Sequence, residues 1–448
     1  MSYFNKVLIA NRGEIARRVI QTCKRLGIQT VAVYSEADAM APFVEEADEA
    51  VCLGAAQAKK SYLNIEKVIE TAKQTGADGV HPGYGFLSEN EDFARRLEQE
   101  GITFIGPDAK IIELMGSKIE SRREMKKAGV PIVPGWDGSL ESVEEALEIA
   151  DQIGYPIMLK ASAGGGGIGM TLVQNAEELK KSYSTTKRRA ESAFSDGTLF
   201  LEKFITNPRH IEVQVAGDHY GNLIHLFERE CSVQRRNQKV IEESPSPFLD
   251  EETRQQLLET AIRGLNHIGY TTVGTMEFIF DDQKNFYFLE MNTRLQVEHP
   301  VTEEITGIDL VELQLRLAAK QPLPLKQEGV KRTGHSIECR LYAEDPKTFF
   351  PSPGIVKRLV LPEDVRLDFA IKEGDSVTPF YDPMIGKIIV HAQTRKEAIG
   401  KMNRALDQIQ VEGITTNKTL LQMVVQNDDF LHGEYTTRFL DKLIMVNA

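Results

Sequence analysis

A run of four glycines, Gly164 to Gly167, constrains the fold of this chain more than any other stretch. The letters GGGGIG match the dinucleotide-binding pattern G-x-G-x-x-G, but that motif works where a strand precedes the glycines and a helix follows them. Here the strand-like segments YPIMLKAS and MTLVQ lie on the two sides. The order therefore predicts a glycine hairpin, whose backbone N–H groups can close over phosphates. A mobile surface turn is the alternative, and it is disfavoured because ordering the glycines costs conformational entropy.

Strand and helix patterns alternate through the N-terminal part of the chain. The apolar runs KVLIA (6–10) and TVAVY (30–34) are typical of buried strands, and an apolar helical stripe lies between them. A βαβ unit of this kind predicts a parallel sheet. We expect an α/β domain over residues 1–114, a central α+β domain over 115–330 and a third α/β domain over 331–448, which the Pro-bearing segment KQPLPLKQEG precedes.

Composition excludes several classes of partner. The net charge of −13 disfavours a nucleic-acid partner or an acidic membrane surface, because both require a basic footprint. The four cysteines are widely spaced without a CxxC pair, which disfavours a disulfide framework and a zinc knuckle. No signal peptide and no apolar stretch of membrane-spanning length, roughly 18 residues, is evident. We expect a soluble, cytoplasmic protein.

Other common sites are not marked by the sequence either. The P-loop pattern G-x-x-x-x-G-K-[ST] does not occur. Neither a Ser/His/Asp nor a Cys/His arrangement is indicated by local sequence. The isolated histidines His81 and His210 are more typical of structural than of catalytic residues.

The segment LEMNTRLQVEHP (289–300) alternates polar and apolar residues. In an extended strand, alternate side chains point to opposite faces. One face would then carry Glu290, Asn292, Arg294, Gln296 and Glu298. Such a face is either exposed to solvent or directed at a substrate.

A candidate metal site follows from the hairpin formed by TMEFIF and NFYFLEMN, with DDQKN at its turn. The pairing sets Glu277 within about one residue of facing Glu290, with Asn292 on the same face. Two carboxylates and an amide oxygen suit a hard cation such as Mg²⁺. An exposed strand face is the alternative. Opposed carboxylates repel unless a cation lies between them, which favours the metal.

Basic residues near strands and turns could bind phosphates. Lys118, Lys160 and Lys203 are of this kind, and the apolar neighbours of Lys160 indicate an anionic partner for its charge. The cluster QRRNQK (234–239) adds further cations. A solvated surface is the alternative for each charge run.

Seven segments resemble the biotin carboxylase family of acyl-CoA carboxylases, which are ATP-grasp enzymes. They are IANRGEIARRVI, HPGYGFLSEN, KASAGGGGIGM, NPRHIEVQ, EMNTRLQVEHPVTE, ECRLYAEDP and YDPMIGK. The resemblance runs in order from about residue 5 to the end. It implies an N-terminal α/β domain, an ATP-grasp domain with a glycine-loop lid at about 132–204, and a C-terminal biotin carboxylase domain.

The resemblance implies roles for individual residues. The ATP site would comprise Lys118, Lys160, Gly165, Gly166, Glu202, Lys203, Phe204, Ile205, His210, Gln234, Asn237, Glu277, Ile279 and Glu290. Bicarbonate and biotin would contact Tyr84, Lys239, Arg294, Gln296, Val297, Glu298 and Arg340. Glu277, Glu290 and Asn292 would hold Mg²⁺ or Mn²⁺ at two sites. The catalytic residues would be Lys239, Arg294, Glu298 and Arg340.

The implied chemistry is the first half-reaction of an acetyl-CoA or other acyl-CoA carboxylase, as used in fatty acid biosynthesis. ATP activates bicarbonate as carboxyphosphate, with Glu298 as the base. Carboxyphosphate breaks down to CO₂ and phosphate, and phosphate takes the ureido N1 proton. Arg340 would stabilise the biotin enolate.

Two positions depart from the family pattern. Asn237 stands where the family usually has histidine, so a group that can carry positive charge is missing beside the nucleotide. Ile168 stands where a basic residue is common, which affects contacts between lid and phosphate. Neither position belongs to the implied metal or base residues.

The resemblance also implies partners. The carrier tetrapeptide Ala/Val-Met-Lys-Met does not occur, so we expect biotin on a separate carrier protein and the carboxyltransferase in other chains. A homodimer is expected by family analogy. The acyl-CoA is chosen by another subunit.

Two alternative functions share the fold. An ATP-grasp carboxylate–amine ligase would not need Arg294, Glu298 and Arg340 together. A non-catalytic ATP-binding regulatory protein would be expected to have lost a metal ligand or the base, and all of these residues are present.

Overall fold

The computed structural model describes residues 3–136, 138–163 and 169–446. Its N-terminal part is a five-stranded sheet with flanking helices. The strands are β1 (Lys6–Ile9), β2 (Gln29–Ser35), β3 (Glu49–Gly54), β4 (Gly79–His81) and β5 (Thr103–Phe104). The helices are α1 (Gly13–Arg25), α2 (Pro42–Glu46), α3 (Ile65–Thr75), α4 (Glu91–Gln99) and α5 (Ala109–Gly116). The order is β3-β2-β1-β4-β5 and all neighbours are parallel, which confirms the predicted parallel sheet.

Local sequence explains why these elements form where they do. The apolar stripe of α1 includes Ile15, Val19 and Cys23, and all three side chains are buried against the sheet. Helix α3 begins where the Asn64 side chain accepts a hydrogen bond from the backbone N–H of Lys67. It ends at Gly76, whose φ of 68° is the left-handed conformation that glycine adopts without strain.

A small antiparallel sheet with two helices follows the helix α6 (Lys118–Lys127). It contains β6 (Ile157–Ala161), β7 (Met170–Val173) and β8 (Leu199–Lys203), with α7 (Val143–Ile153) and α8 (Ala176–Phe194). We call this unit the lid sheet. Strands β6 and β7, on the two sides of the glycine run, are antiparallel neighbours, as the predicted hairpin requires. Residues 164–168, which include the predicted phosphate-covering Gly165 and Gly166 and the departure at Ile168, lie outside the described residues.

The rest of the chain is organised around a large antiparallel sheet. Its strands are β9 (Arg209–Gly217), β10 (Leu223–Arg235), β11 (Gln238–Ser244), β12 (Thr272–Phe280), β13 (Phe286–Asn292), β14 (His335–Tyr342), β17 (Arg366–Phe369) and β19 (Met384–Ala392). Two short ribbons pair β15 (Gly354–Ile355) with β18 (Ser376–Val377), and β16 (Arg358–Val360) with β20 (Gln410–Glu412). The helices are α9 (Glu251–Ile268), α10 (His299–Thr306), α11 (Leu310–Ala318), α12 (Arg395–Gln408), α13 (Lys418–Val425), α14 (Asp428–His432) and α15 (Phe439–Val446).

The large sheet has the order β13-β12-β9-β10-β11-β14-β19-β17. Both predicted hairpins, β9–β10 and β12–β13, are present. The ladder between β11 and β14, with Ile241 opposite Cys339, crosses the domain boundary that we placed at residue 330. The domain limits remain predictions, but the sheet itself is continuous across that point.

The prediction of one extended strand through residues 289–298 is wrong beyond Asn292. Strand β13 ends at Asn292, and the chain then turns into α10, with Glu298 at the N-cap position. Pro300 lies in the first turn of that helix, where proline fixes a φ suited to a helix start. Strict alternation of side chains along the strand therefore holds for Glu290 and Asn292 only. A turn after Asn292 leads to Glu298.

No helix within the described ranges is long and apolar enough to cross a membrane. All four cysteines are free thiols, and three of them, Cys23, Cys231 and Cys339, are buried.

Candidate active site

A cavity of about 710 Å³ lies between the lid sheet and the large sheet. Nearly all of the predicted site residues in the described ranges line it. They are Lys118, Lys160, Glu202, Lys203, Phe204, Ile205, His210, Gln234, Asn237, Lys239, Glu277, Ile279, Glu290, Asn292, Arg294, Gln296, Val297, Glu298 and Arg340. Residues separated by more than 200 positions in the sequence thus meet in one place.

Tyr84 is the exception among the predicted residues that the structure describes. Its hydroxyl donates a hydrogen bond to Glu14, and its side chain is not part of the cavity lining. Glu14 in turn lies 3.1 Å from the ammonium of Lys387 on β19. The contacts of Tyr84 and Glu14 therefore connect the N-terminal domain to the large sheet.

Lys239 lies at the centre of three carboxylates. Its Nζ donates hydrogen bonds to Glu212 at 2.5 Å, to Glu277 at 2.8 Å and to Glu298 at 2.6 Å. Burial disfavours the charged ammonium, but the three carboxylates outweigh it and raise the pKa of Lys239 well above its ordinary value. Lys239 is therefore a fixed positive charge that connects β11 to β9, β12 and the start of α10.

The carboxylate of Glu298 is held between two cations. Oε1 accepts from Lys239 and Oε2 accepts from Nη2 of Arg340 at 2.9 Å. Burial raises the pKa of Glu298, but Lys239, Arg340 and Arg229 outweigh it and lower the pKa well below the ordinary glutamate value. Glu298 is thus ionised at neutral pH and can accept a proton.

Glu277 and Glu290 are direct register partners on β12 and β13. Glu277 is nearly buried and lies 2.8 Å from Nε2 of His210, in addition to its bond from Lys239. Burial raises its pKa, but Lys239 and His210 outweigh it and lower the pKa well below the ordinary value. Protein cations thus already offset part of the repulsion that we expected between the two carboxylates.

The oxygens of these strands fit a hard cation. Glu290 is the more open partner, since its nearest cation, Nζ of Lys118, is 3.5 Å away and its side chain is 30% exposed. Asn292 donates through Nδ2 to Glu277 and accepts through Oδ1 from Arg294. Two carboxylates and an amide oxygen on neighbouring strands match the donor set that Mg²⁺ and Mn²⁺ prefer.

Arg294 turns back across the end of β13. Its Nε donates to Glu89 at 2.9 Å, and Nη2 donates to Oδ1 of Asn292 at 2.7 Å. The guanidinium therefore faces the same cavity as Glu298, although the strand has ended before it.

The end of the cavity next to the lid sheet has a charged and an apolar part. Lys160 and Arg122 both form ion pairs with the buried Glu202, which confirms the predicted anionic partner of Lys160. Burial raises the pKa of Glu202, but Lys160 and Arg122 outweigh it and lower the pKa below its ordinary value. Lys203 donates to the carbonyls of Gly154 and Tyr155 in the lid sheet. Apolar walls come from Met158, Met170, Leu172, Ile279 and Leu289.

Sequence reasoning missed a supporting layer beneath the carboxylates. Glu212 is fully buried and pairs with the guanidinium of Arg229 at 2.6 Å. Arg229 also donates to Gln214 and to Oε1 of Gln296, so it fixes the side of the cavity next to Glu298. The alternation of His210, Glu212 and Gln214 along β9 was the available signal, because those side chains share one face.

Other cavity residues were not assigned to the site, although Arg236 and Gln238 belong to the basic segment QRRNQK. They are Val133, Met158, Met170, Leu172, Pro208, Arg236, Gln238, Leu289, Tyr342, Asp382, Thr437, Arg438 and Asp441. Met158 lies two residues before Lys160 in a strand, so strand alternation could have found it. Thr437, Arg438 and Asp441 reach the site through the packing of the last helix, which has no local sequence signal.

A lid sheet that closes over an antiparallel sheet bearing paired carboxylates and lysines defines an ATP-grasp ligase. Family models match three consecutive ranges: "Biotin carboxylase, N-terminal domain" at 3–112, "Carbamoyl-phosphate synthase L chain, ATP binding domain" at 117–326 and "Biotin carboxylase C-terminal domain" at 338–442. The chain belongs to the biotin carboxylase family, whose reaction uses ATP and bicarbonate to carboxylate biotin. This confirms the family and the three-part α/β and α+β fold predicted from the motifs.

Individual relatives agree over the whole length. Biotin carboxylase 2 of Bacillus subtilis is 59% identical over 439 residues, which are 98% of this chain and 99% of the relative. The biotin carboxylase of Halalkalibacterium halodurans is 56% identical over 447 residues, 99% of each chain. The biotin carboxylase domain dimer of Hydrogenobacter thermophilus 2-oxoglutarate carboxylase, solved with MgADP, ADP and bicarbonate, has a TM-score of 0.96 at 51% identity and 98% coverage of both chains.

Proposed function

We propose that this enzyme carboxylates biotin carried on a separate protein and that the cavity residues act in the roles predicted from the sequence. The observation that supports this most is the position of Glu298, an ionised carboxylate held between Lys239 and Arg340. A base for bicarbonate must be ionised before the reaction and must lie beside cations that bind an anion.

The first step uses the nucleotide end of the cavity. Lys118 and Lys160 bind the phosphates, and an oxygen of bicarbonate attacks the γ-phosphorus as the bond to ADP breaks. Glu298 accepts the proton that bicarbonate loses. Mg²⁺ or Mn²⁺, held by Glu277, Glu290 and Asn292, would neutralise charge on the phosphates.

The second step uses the end near Arg340. The carbon–oxygen bond of carboxyphosphate breaks to give CO₂ and phosphate, and phosphate takes the N1 proton of biotin. N1 then attacks CO₂, while Arg340 stabilises negative charge on the ureido oxygen. Arg294 and Lys239 hold the anions in place between the two steps.

The partners are part of the same proposal. Biotin arrives on a carrier protein, the carboxyltransferase belongs to other chains, and the enzyme is a homodimer, like the domain dimer of the Hydrogenobacter relative. The acyl-CoA is chosen by the transferase. The cytoplasmic location expected from the cysteines stays a prediction.

ADP release by the purified protein with Mg²⁺, ATP and bicarbonate, measured with and without free biotin, tests this function. Biotin should stimulate release, and E298Q and R340A should each lower the stimulated rate at least about 100-fold but leave a measurable residual rate. E252Q, an exposed position on α9, is the control and should leave the rate unchanged. ATP cleavage without any biotin response would contradict the proposed acceptor.

A further inference from the structure

One guanidinium nitrogen of Arg340 is shared by two carboxylates. Nη2 lies 2.9 Å from Oε2 of Glu298 and 2.6 Å from Oε1 of Glu242. Glu298 faces the cavity, whereas Glu242 is fully buried beneath it and is not part of its lining. Within the described ranges Arg340 is the one cation that forms an ion pair with Glu242, and neither carboxylate oxygen of Glu242 has another hydrogen-bond partner there. A buried carboxylate is costly even when a cation matches it, so the presence of Glu242 beneath Arg340 needs a reason.

We infer that Glu242 is a positioning residue, which keeps Arg340 in place at the moment when Glu298 has taken up a proton. This inference rests on the proposed function, in which Glu298 is the base for bicarbonate and Arg340 serves the biotin step. A protonated Glu298 loses its charge, and its contact with Arg340 then changes from an ion pair to a weaker neutral hydrogen bond. Without Glu242, the guanidinium would then lack a charged partner within the described ranges, although Tyr342 also lies beside it.

The electrostatic interaction between Glu298 and Glu242 favours Glu242 as the anchor of Arg340 once Glu298 is protonated. Burial and the negative charge of Glu298 together outweigh the effects of Arg340 and Lys239 and raise the pKa of Glu242 to about 7. When Glu298 becomes neutral, that repulsion disappears, so the pKa of Glu242 falls and its carboxylate becomes more fully ionised. When Glu298 is neutral, the carboxylate of Glu242 is thus the negative charge that remains beside Arg340.

Glu338 offers a matched control. It is the register partner of Glu242 across β11 and β14, so both side chains lie on one face of the sheet. It is equally buried, and its oxygens likewise have no hydrogen-bond partner in the described part of the chain. It forms no ion pair there with Arg340 or any other cation. E338Q therefore removes a buried carboxylate without removing an anchor of Arg340.

The test compares two activities in wild type, E242Q and E338Q. For E242Q we expect bicarbonate-dependent ATP cleavage without biotin to stay within about 3-fold of wild type, while the biotin-stimulated kcat falls at least about 10-fold. The KM for biotin should change less than about 3-fold, because Arg340 acts on charge that develops during reaction. E338Q should leave both activities within about 3-fold.

A double-mutant cycle shows whether Glu242 acts through Arg340. In the R340A background, E242Q should cause less than about 2-fold further loss, since its target is already absent. Two results would overturn the inference. One is retained biotin stimulation in E242Q. The other is a loss between R340A and the E242Q/R340A double variant that is as large as the loss caused by E242Q alone. E242D serves if E242Q does not fold, and it should lose less biotin-stimulated activity because it keeps the charge. Wild type that does not respond to biotin would instead overturn the proposed function, and the inference with it.

Discussion

Nζ of Lys239 lies 2.6 Å from Oε1 of Glu298, and the same ammonium contacts Glu212 and Glu277. One fixed cation thus connects the proposed base to a carboxylate on the hairpin that we propose binds the metal. Because Lys239 stabilises the charged form of Glu298, it keeps the base ionised in the free enzyme. Removal of Lys239 would leave three carboxylates that repel one another.

Replacing Lys239 tests this connection. K239M should lower the biotin-stimulated rate at least about 100-fold, because the pKa of Glu298 rises and bicarbonate loses a cation. The residual rate, followed against pH, should show its acid limb at a higher pH than in wild type, since a weaker pairing leaves Glu298 protonated up to a higher pH. K180M, at an exposed position on α8, is the control. An unshifted acid limb would contradict a role of Lys239 in keeping the base ionised.

Replacing Glu290 tests the metal site. E290Q should raise the Mg²⁺ concentration needed for half-maximal ADP release at least about 10-fold, because an amide oxygen is a weaker ligand than a carboxylate for a hard cation. Titration of Mg²⁺ at saturating ATP measures the change. The fold should survive, since Glu290 is partly exposed and contacts Lys118 only at 3.5 Å. A Mg²⁺ requirement equal to that of wild type would exclude Glu290 as a ligand.

Replacing Asn237 with histidine tests the departure from the family pattern. Its φ is 64°, a left-handed conformation in which both asparagine and histidine are enriched. N237H should therefore fit the backbone, and an imidazolium at this position should tighten ATP binding by about 2- to 5-fold at pH 6.5. Isothermal titration with ATP measures the affinity, and N237A is the matched comparison. Equal affinities for all three proteins would show that this side chain does not contact the nucleotide.

The lowered pKa of the buried Glu243 carboxyl predicts that the stability of the fold depends on pH. Its buried carboxylate accepts from His335 at 2.6 Å and from Nε of Arg395 at 2.7 Å. Burial raises its pKa, but these partners outweigh it and lower the pKa from 4.5 to about 2. A pKa that is lower in the folded state stabilises the fold above the unfolded-state pKa, and this stabilisation is lost as pH falls from 4.5 towards 2.

The corresponding experiment compares E243Q with wild type by urea denaturation. At pH 7 the variant should lose up to about 3 kcal/mol of unfolding free energy, from about 1.4 kcal/mol per unit of pKa shift. The difference should be constant down to about pH 5.5 and should shrink below pH 4.5. E434Q, at an exposed position beside Tyr435 in the sequence, is the control. A difference that persists undiminished at pH 3.5 would contradict the assignment.

Local patterns predicted those parts of the molecule that depend on short-range physics. The alternation of β12 and β13 correctly set Glu277 opposite Glu290, because hairpin register follows from turn length and side-chain period. The same rule failed after Asn292, since a helix start overrides strand alternation when proline follows. Arg229 and Glu242 could not be predicted, because their partners come from strands and helices that meet only in the folded protein.

The continuous sheet has a consequence for how such an enzyme can be divided or recombined. The ladder that joins β11 to β14 contains four residue pairs, from Ile241 opposite Cys339 to Ser244 opposite Ser336. A chimaera joined between α11 and β14 would have to match those pairs from two parents. The two ends of the cavity, which we propose bind the nucleotide and biotin, therefore have to be exchanged together, whereas exchange of the lid sheet leaves that ladder intact.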